Sequence, residues 1–134
     1  MSVKTVLIVE DDKEVQTLIR FVLERDGYYI KHADTGGEAL ELLGIEHIGP
    51  TGKFGLTPII PDLILLDIML PEVDGYTILS KMAQKPELCN IPVIVVTAKP
   101  MMLDLFMMSK NVKHFFAKPF NTKLLREKVK EIVG

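Results

Sequence analysis

Apolar residues follow two rhythms along the chain. Three short runs are almost unbroken: Thr-Val-Leu-Ile-Val at 5–9, Leu-Ile-Leu-Leu at 63–66 and Pro-Val-Ile-Val-Val at 92–96. Such runs suit strands covered on both faces, hence a parallel sheet. Between them apolar positions recur every three or four residues, as in Val15, Leu18, Ile19, Val22 and Leu23, then Ile78, Leu79 and Met82, then Leu125, Val129 and Ile132. That spacing lines one face of a helix. Asp12 is placed to cap the first helix and Gly27 to end it. Thr35-Gly36-Gly37-Glu38 has the capping-box spacing and opens a short helix carrying Ala39, Leu40, Leu42 and Leu43. Weaker strands are expected at 28–33 and 114–117, and further helices at 74–84, 101–110 and 122–133. The order βαβαβαβαβα makes this an α/β chain with a parallel sheet and right-handed crossovers. No internal repeat or boundary divides it, so residues 1–134 are expected to form a single domain.

Two stretches break the rhythm. Residues 44–61 hold Gly44, Gly49, Pro50, Gly52, Gly55, Pro58 and Pro61, an extended loop where about 2–6 residues is usual. Gly49-Pro50-Thr51-Gly52-Lys53 hints at a phosphate loop, but His47 occupies the position of the first required glycine. A surface loop is the simpler reading, with a partner contact as the alternative. Residues 101–110 carry Met101, Met102, Leu103, Leu105, Phe106, Met107 and Met108. These cover more than one helical face, so apolar area is expected to stay exposed there, either as an adaptable partner surface or packed by its own loops.

Bulk composition narrows the classes. The 134 residues suffice for a sizeable core. A net charge of −2 gives no case for nucleic acid or a membrane surface. The single cysteine, Cys89, excludes an internal disulfide and a multi-cysteine metal site. No signal peptide or spanning segment is visible, and a cytoplasmic protein is the expectation.

The chemistry gathers where strands end. Glu10 and Asp11 follow the first strand, Asp67 the third, Thr97 the fourth and Lys118 the fifth, while the second ends at Ala33 with nothing comparable. In open α/β sheets, ligands bind at the carboxyl ends of strands. Taken singly, each is ordinary: an acidic pair is often a helix cap, and a lone aspartate a turn residue. Together they put acids, a hydroxyl and an amine on one rim. Two carboxylates about 4 Å apart repel by roughly 4 kcal/mol at an effective dielectric near 20, so three need a cation or a proton. Oxygen ligands with open positions suit Mg²⁺. A carboxylate can attack phosphorus to give an aspartyl phosphate. Lys118 and the metal would neutralise the phosphoryl oxygens, and the Thr97 hydroxyl could donate to one.

Val-Leu-Ile-Val-Glu-Asp-Asp at 6–12, Leu-Ile-Leu-Leu-Asp-Ile-Met-Leu-Pro at 63–71 with Asp74-Gly75, Val-Val-Thr-Ala at 95–98 and Lys118-Pro119-Phe120 together resemble the receiver domain of two-component response regulators. The combination is specific although no piece is. The resemblance implies a flavodoxin-like, doubly wound sheet of five parallel strands in the order 2-1-3-4-5, with two helices on one face and three on the other. It implies that Asp67 accepts a phosphoryl group from the phosphohistidine of a sensor histidine kinase or phosphotransfer protein. Asp11, Asp67 and the backbone carbonyl of Met69 would hold Mg²⁺, and Glu10 would hold it through water. Lys118 would contact the phosphoryl group, with Lys118-Pro119 a cis peptide. Thr97 would move toward the phosphate and Phe115 is the aromatic switch position. Homodimer or output contacts would use the helix at 101–110, the fifth strand and the fifth helix. The only catalysis implied is of its own phosphorylation and dephosphorylation, so the chain would not be an enzyme in the ordinary sense. Asn111 stands where glycine is frequent, and Lys123, Arg126, Lys128 and Lys130 read as a solvated stripe. His32, His47 and His114 read as surface or packing residues rather than phosphodonors.

Two rivals remain. A haloacid-dehalogenase-type phosphatase also uses an aspartyl phosphate but requires Asp-x-Asp, and Met69 replaces the second acid. A degenerate receiver acting as a phosphorylation-independent docking module is opposed by the intact acids, Thr97 and Lys118.

Overall fold

A computed structural model describes residues 3–45, 55–70, 73–98 and 110–134. The elements in chain order are β1 (Thr5–Val9), α1 (Lys13–Arg25), β2 (Tyr29–Ala33), α2 (Gly36–Leu42), β3 (Leu63–Asp67), α3 (Gly75–Ala83), β4 (Val93–Thr97), β5 (Val112–Ala117) and α4 (Thr122–Val133). All strands pair in parallel in the order β2-β1-β3-β4-β5. This is the expected doubly wound sheet. Four helices are seen among the described residues. The fifth expected helix, at 101–110, lies outside them, as do His47, the Gly49–Lys53 stretch and Pro71.

The unbroken apolar runs follow from packing on both sides. On one face Leu7, Val9, Ile64, Leu66, Val93 and Val95 meet α2 and α3 through Ala39, Leu40, Ile78, Leu79 and Met82. On the other, Val6, Ile8, Leu63, Leu65, Ile94 and Val96 meet α1 and α4 through Ile19, Leu23, Leu125 and Val129. Strand alternation sends successive residues to opposite faces. β3 is buried at every position, and that includes its last residue, Asp67.

The helix starts are set by side chains. Asp12 accepts from the backbone N–H groups of Glu14 and Val15, Asp74 from that of Thr77, and Asn121 from those of Lys123 and Leu124. Thr35 accepts from the Glu38 N–H, while Glu38 reaches back to the Asp34 N–H at 2.7 Å, one residue before the usual capping-box partner. Gly27 closes α1 with φ +94°, a conformation that favours glycine.

Three details depart from the sequence reading. β5 starts at Val112 rather than 114, because Val112 pairs with Val93 and an irregularity in register absorbs Lys113. Asn111 is a buried strut: its side-chain amide donates to the Ile91 carbonyl at 3.2 Å, and its backbone carbonyl accepts from the Val93 N–H at 2.8 Å. The basic stripe on α4 is not simply solvated. Arg126 grips Asp26, at the end of α1, through two bonds of 2.8 and 2.7 Å, and Lys128 pairs with Glu131 at 3.1 Å.

The Arg126 hydrogen bonds hold the Asp26 carboxyl below its ordinary value of 3.8, against the opposing effect of burial. A depressed carboxylate stabilises the fold above its unfolded pKa and loses that contribution as pH falls through the folded value. Arg126→Ala is therefore expected to lower the denaturation midpoint modestly at pH 7. In matched urea titrations the difference from the parent should fade in strong acid, below the usual carboxylate range.

The connection between α2 and β3 is tied down where it is described. Buried Glu41 accepts from the Leu56 N–H at 2.6 Å, and the Ile59 N–H donates to Leu42 at 2.7 Å. Ile45 and Leu56 pack on the core, and Gly44, with φ +71°, faces Pro58. Among the described residues, no helix is long and apolar enough to cross a membrane.

Candidate functional site

The carboxyl ends of β1, β3, β4 and β5 bring the expected residues to one rim. Glu10 follows β1 and is 2 % exposed; Asp67 ends β3 and is 3 % exposed. Asp11 beside Glu10 faces solvent. Carboxylate oxygens of Glu10, Asp11 and Asp67 all lie within 4.8 Å of one another. The Lys118 ammonium, carried by the turn after β5, reaches both buried acids: Glu10 Oε1 at 2.7 Å and Asp67 Oδ2 at 3.1 Å. The Lys118 backbone N–H is itself fixed, donating to the Thr97 carbonyl at 2.7 Å, and Lys118-Pro119 is cis, as expected.

Backbone donors complete the frame. The Met69 N–H donates to Asp67 Oδ1 at 3.0 Å, and the Asp12 N–H to Glu10 Oε2 at 3.1 Å. Gly75 has to be glycine at this approach: a Cβ there would lie 2.9 Å from the Asp67 carbonyl oxygen. Its N–H donates to the Ile68 carbonyl at 3.1 Å. The turn after β3 thus folds back tightly enough to hold Met69 beside Asp67. The Met69 side chain is turned to solvent.

Electrostatics follow from burial. Desolvation pushes the Glu10 carboxyl up to about 7, only partly opposed by its contact with Lys118. For Lys118, burial pulls the pKa down, but its contacts with Glu10 and the charge of Asp67 outweigh this and leave it above 10.5. The ammonium therefore stays charged at neutral pH. Among the described residues one cation faces three carboxylates, and a divalent ion would balance the set. The Glu10 Oε1 contact with Lys118 is an ion pair without hydrogen-bond geometry, which leaves that buried oxygen a lone pair to spend. The donor set, all oxygen and mostly buried, fits Mg²⁺.

Thr97 is fully buried at the end of β4, in register with Ala117. Phe115 does not join the cluster: it is 36 % exposed on β5 and stacks on His114 with ring centres 5.9 Å apart. His114 also meets Phe116 edge-on at 4.8 Å, and burial lowers its pKa, consistent with a packing role.

The end of β2 is not empty, contrary to the sequence reading. Asp34, the residue after Ala33, accepts from the Gln16 side chain at 2.9 Å and from Lys13 at 2.6 Å. Gln16 is a buried amide on the inward face of α1. The signal available in sequence was an amide interrupting an apolar stripe, together with an acid just beyond a strand end.

An open parallel sheet in the order β2-β1-β3-β4-β5, with helices on both faces, is the flavodoxin-like fold. The chain belongs to the response regulator receiver domain family, whose sequence profile matches residues 6–130. Receiver domains are signalling modules of two-component systems. The chain is 33 % identical over 130 residues to the sensor histidine kinase TmoS of Ectopseudomonas mendocina, matching 96 % of this chain and 12 % of TmoS. It is 30 % identical over 131 residues to the alkaline phosphatase synthesis transcriptional regulatory protein PhoP of Bacillus subtilis (strain 168), matching 97 % of this chain and 48 % of PhoP. The chain thus spans half or less of the length of these relatives. Among solved structures, the response regulator TrrA of Thermotoga maritima, in complex with Mg(2+)-BeF, superposes with a TM-score of 0.73 at 27 % identity, covering 96 % of this chain and 98 % of TrrA.

Proposed function

We propose that residues 1–134 act as one receiver unit in which Asp67 is the phosphoacceptor. The observation that carries this is the placement of Lys118 3.1 Å from Asp67, within a cluster completed by Glu10 and Asp11. An Asp67 oxygen attacks the phosphorus of a phosphohistidine on a sensor histidine kinase or phosphotransfer protein. The P–N bond breaks, the imidazole leaves with the bonding pair, and an aspartyl phosphate forms. Asp11, Asp67 and the Met69 carbonyl would hold Mg²⁺, with Glu10 acting through water. The ion, when bound, supplies charge neutralisation at the phosphoryl oxygens. Lys118 binds the arriving phosphoryl group on the other side, and the Thr97 hydroxyl donates to it.

Gaining a dianionic group biases two arrangements of the rim. Thr97 shifts toward the phosphoryl group. Phe115, now exposed, follows and changes the face formed by β5, α4 and the segment at 101–110, where a homodimer or an output protein would bind. TrrA in complex with Mg(2+)-BeF supports the metal assignment by likeness.

The test is incubation of the purified chain with Mg²⁺ and a small phosphodonor such as acetyl phosphate, read by intact mass. One phosphoryl group is expected on the parent and none on Asp67→Asn. Equal labelling of the two would remove Asp67 from the role. A parent that binds Mg²⁺ yet takes no label would instead favour the docking-module reading.

A further inference from the structure

The two loops that meet at the proposed cation site come from different strands, and their carboxylates repel one another. Lys118 bridges their two buried acids, Glu10 and Asp67, while the backbone that carries those acids is braced elsewhere. The junction between β2 and α2, which supplies no carboxylate to the cluster, touches both loops.

Toward the first loop, the buried Gln16 amide spends both of its hydrogens at this junction. It donates to the Glu10 backbone carbonyl at 3.0 Å and to Asp34 Oδ1 at 2.9 Å. Asp34 is fixed in turn by Lys13 at 2.6 Å, and its N–H donates to Glu38 at 2.7 Å. The Glu10 N–H donates to the Ala33 carbonyl at 3.1 Å, so Glu10 is held to the β2 end by backbone as well. Toward the second loop, Gly36 in the first turn of α2 abuts the backbone at Val73. A Cβ at Gly36 would overlap the Val73 carbonyl oxygen and fall 2.7 Å from the Val73 Cβ. Any side chain at 36 would therefore displace Val73, two residues before Gly75.

We propose that Asp34, acting through Gln16, and Gly36, acting through Val73, are positioning residues that brace the two cation-holding loops against each other and set the affinity for Mg²⁺. This deepens the proposed function and rests on its assignment of the site. Asp34 is not a ligand in this scheme. It acts because Gln16 cannot orient toward Glu10 without an acceptor on its other side. Asp34 stands two hydrogen bonds from Glu10, so the expected cost of removing it lies at the low end of the roughly 10–100-fold range typical of partners that bond a ligand directly.

Calorimetric titration with MgCl₂ separates the alternatives. Asp34→Ala and Gln16→Leu are each expected to weaken binding about 10-fold. Asp34→Asn, which keeps an oxygen for Gln16 while losing the charge, should recover most of that loss. Gly36→Ala should weaken binding by displacing Val73. Thermal melts run alongside should remain cooperative for Asp34→Ala and Asp34→Asn. Binding by Asp34→Ala as tight as the parent's overturns the brace, and so does an equal loss in Asp34→Ala and Asp34→Asn, which would mark a remote charge effect. A parent that takes up no Mg²⁺ overturns the site assignment itself, a different and separately visible failure.

Discussion

Lys118→Met is expected to slow phosphoryl uptake by Asp67 on the order of 10²–10³-fold while letting Mg²⁺ bind more tightly. The rate loss is the usual magnitude for removing one preorganised charge from a site where charge develops. Lys118 is well prepared for that role: it is largely buried and held by two carboxylates, and its backbone is pinned to Thr97. The opposite sign for the metal follows from crowding. The ammonium already occupies the space between Glu10 and Asp67, and a divalent cation entering the same cluster is repelled by it. Methionine keeps most of the unbranched stem and removes the ammonium, with its charge and its donors. Labelling kinetics by intact mass and titration with MgCl₂ on the same preparation give both signs. If labelling proceeds at the parent's rate, Lys118 is a structural counter-ion and not a phosphoryl contact.

The second large effect belongs to Glu10. In EDTA, moving from about pH 5 to about pH 8 should destabilise the parent relative to Glu10→Gln by about 2–3 kcal/mol. Burial holds the proton on Glu10 up to about 7, whereas the unfolded chain releases it near 4.5. Between those values the folded state binds more protons, so stability falls as pH rises. His114 acts in the opposite direction, since burial lowers its pKa and folding then favours the neutral ring. Both proteins carry it, so it cancels in the comparison. Urea denaturation at the two pH values reads the difference. Saturating Mg²⁺ should shrink it at pH 8, because the ionised carboxylate then faces a cation. Parallel stability curves for the two proteins would show that Glu10 ionises in the fold as it does in the unfolded chain.

The parts of this protein that could be read from sequence are those where one element decides its own environment. The runs at 63–66 and 92–96 admit few readings other than buried parallel strands, and the acids, Thr97 and Lys118 that follow strand ends share a rim by topology alone. What escaped depends on contacts between elements. Asp34 looks like a turn residue until Gln16, eighteen positions earlier, is seen to reach it. Gln16 reads as a polar interruption of a helix face, since periodicity says which face is inward but not what an inward amide will meet. Asn111 has no sequence signal for its role, since its amide bonds the Ile91 carbonyl twenty residues earlier, just before the neighbouring strand. Arg126 is indistinguishable in sequence from the exposed lysines beside it, because its partner, Asp26, lies 100 residues away.

The anchoring of the α2–β3 connection has a practical side. A right-handed crossover returns the chain from the end of α2 to the start of β3. Glu41, Leu42 and Gly44 therefore grip Leu56, Ile59 and Pro58 at the edge of the sheet opposite the acidic rim. With both ends held, extra residues between them cost mainly loop-closure entropy, about 0.6 kcal/mol for each doubling of length. That makes the interval a permissive port for grafting an epitope or a fluorescent reporter, one that can follow the molecule in a cell while Asp67 and its neighbours stay untouched.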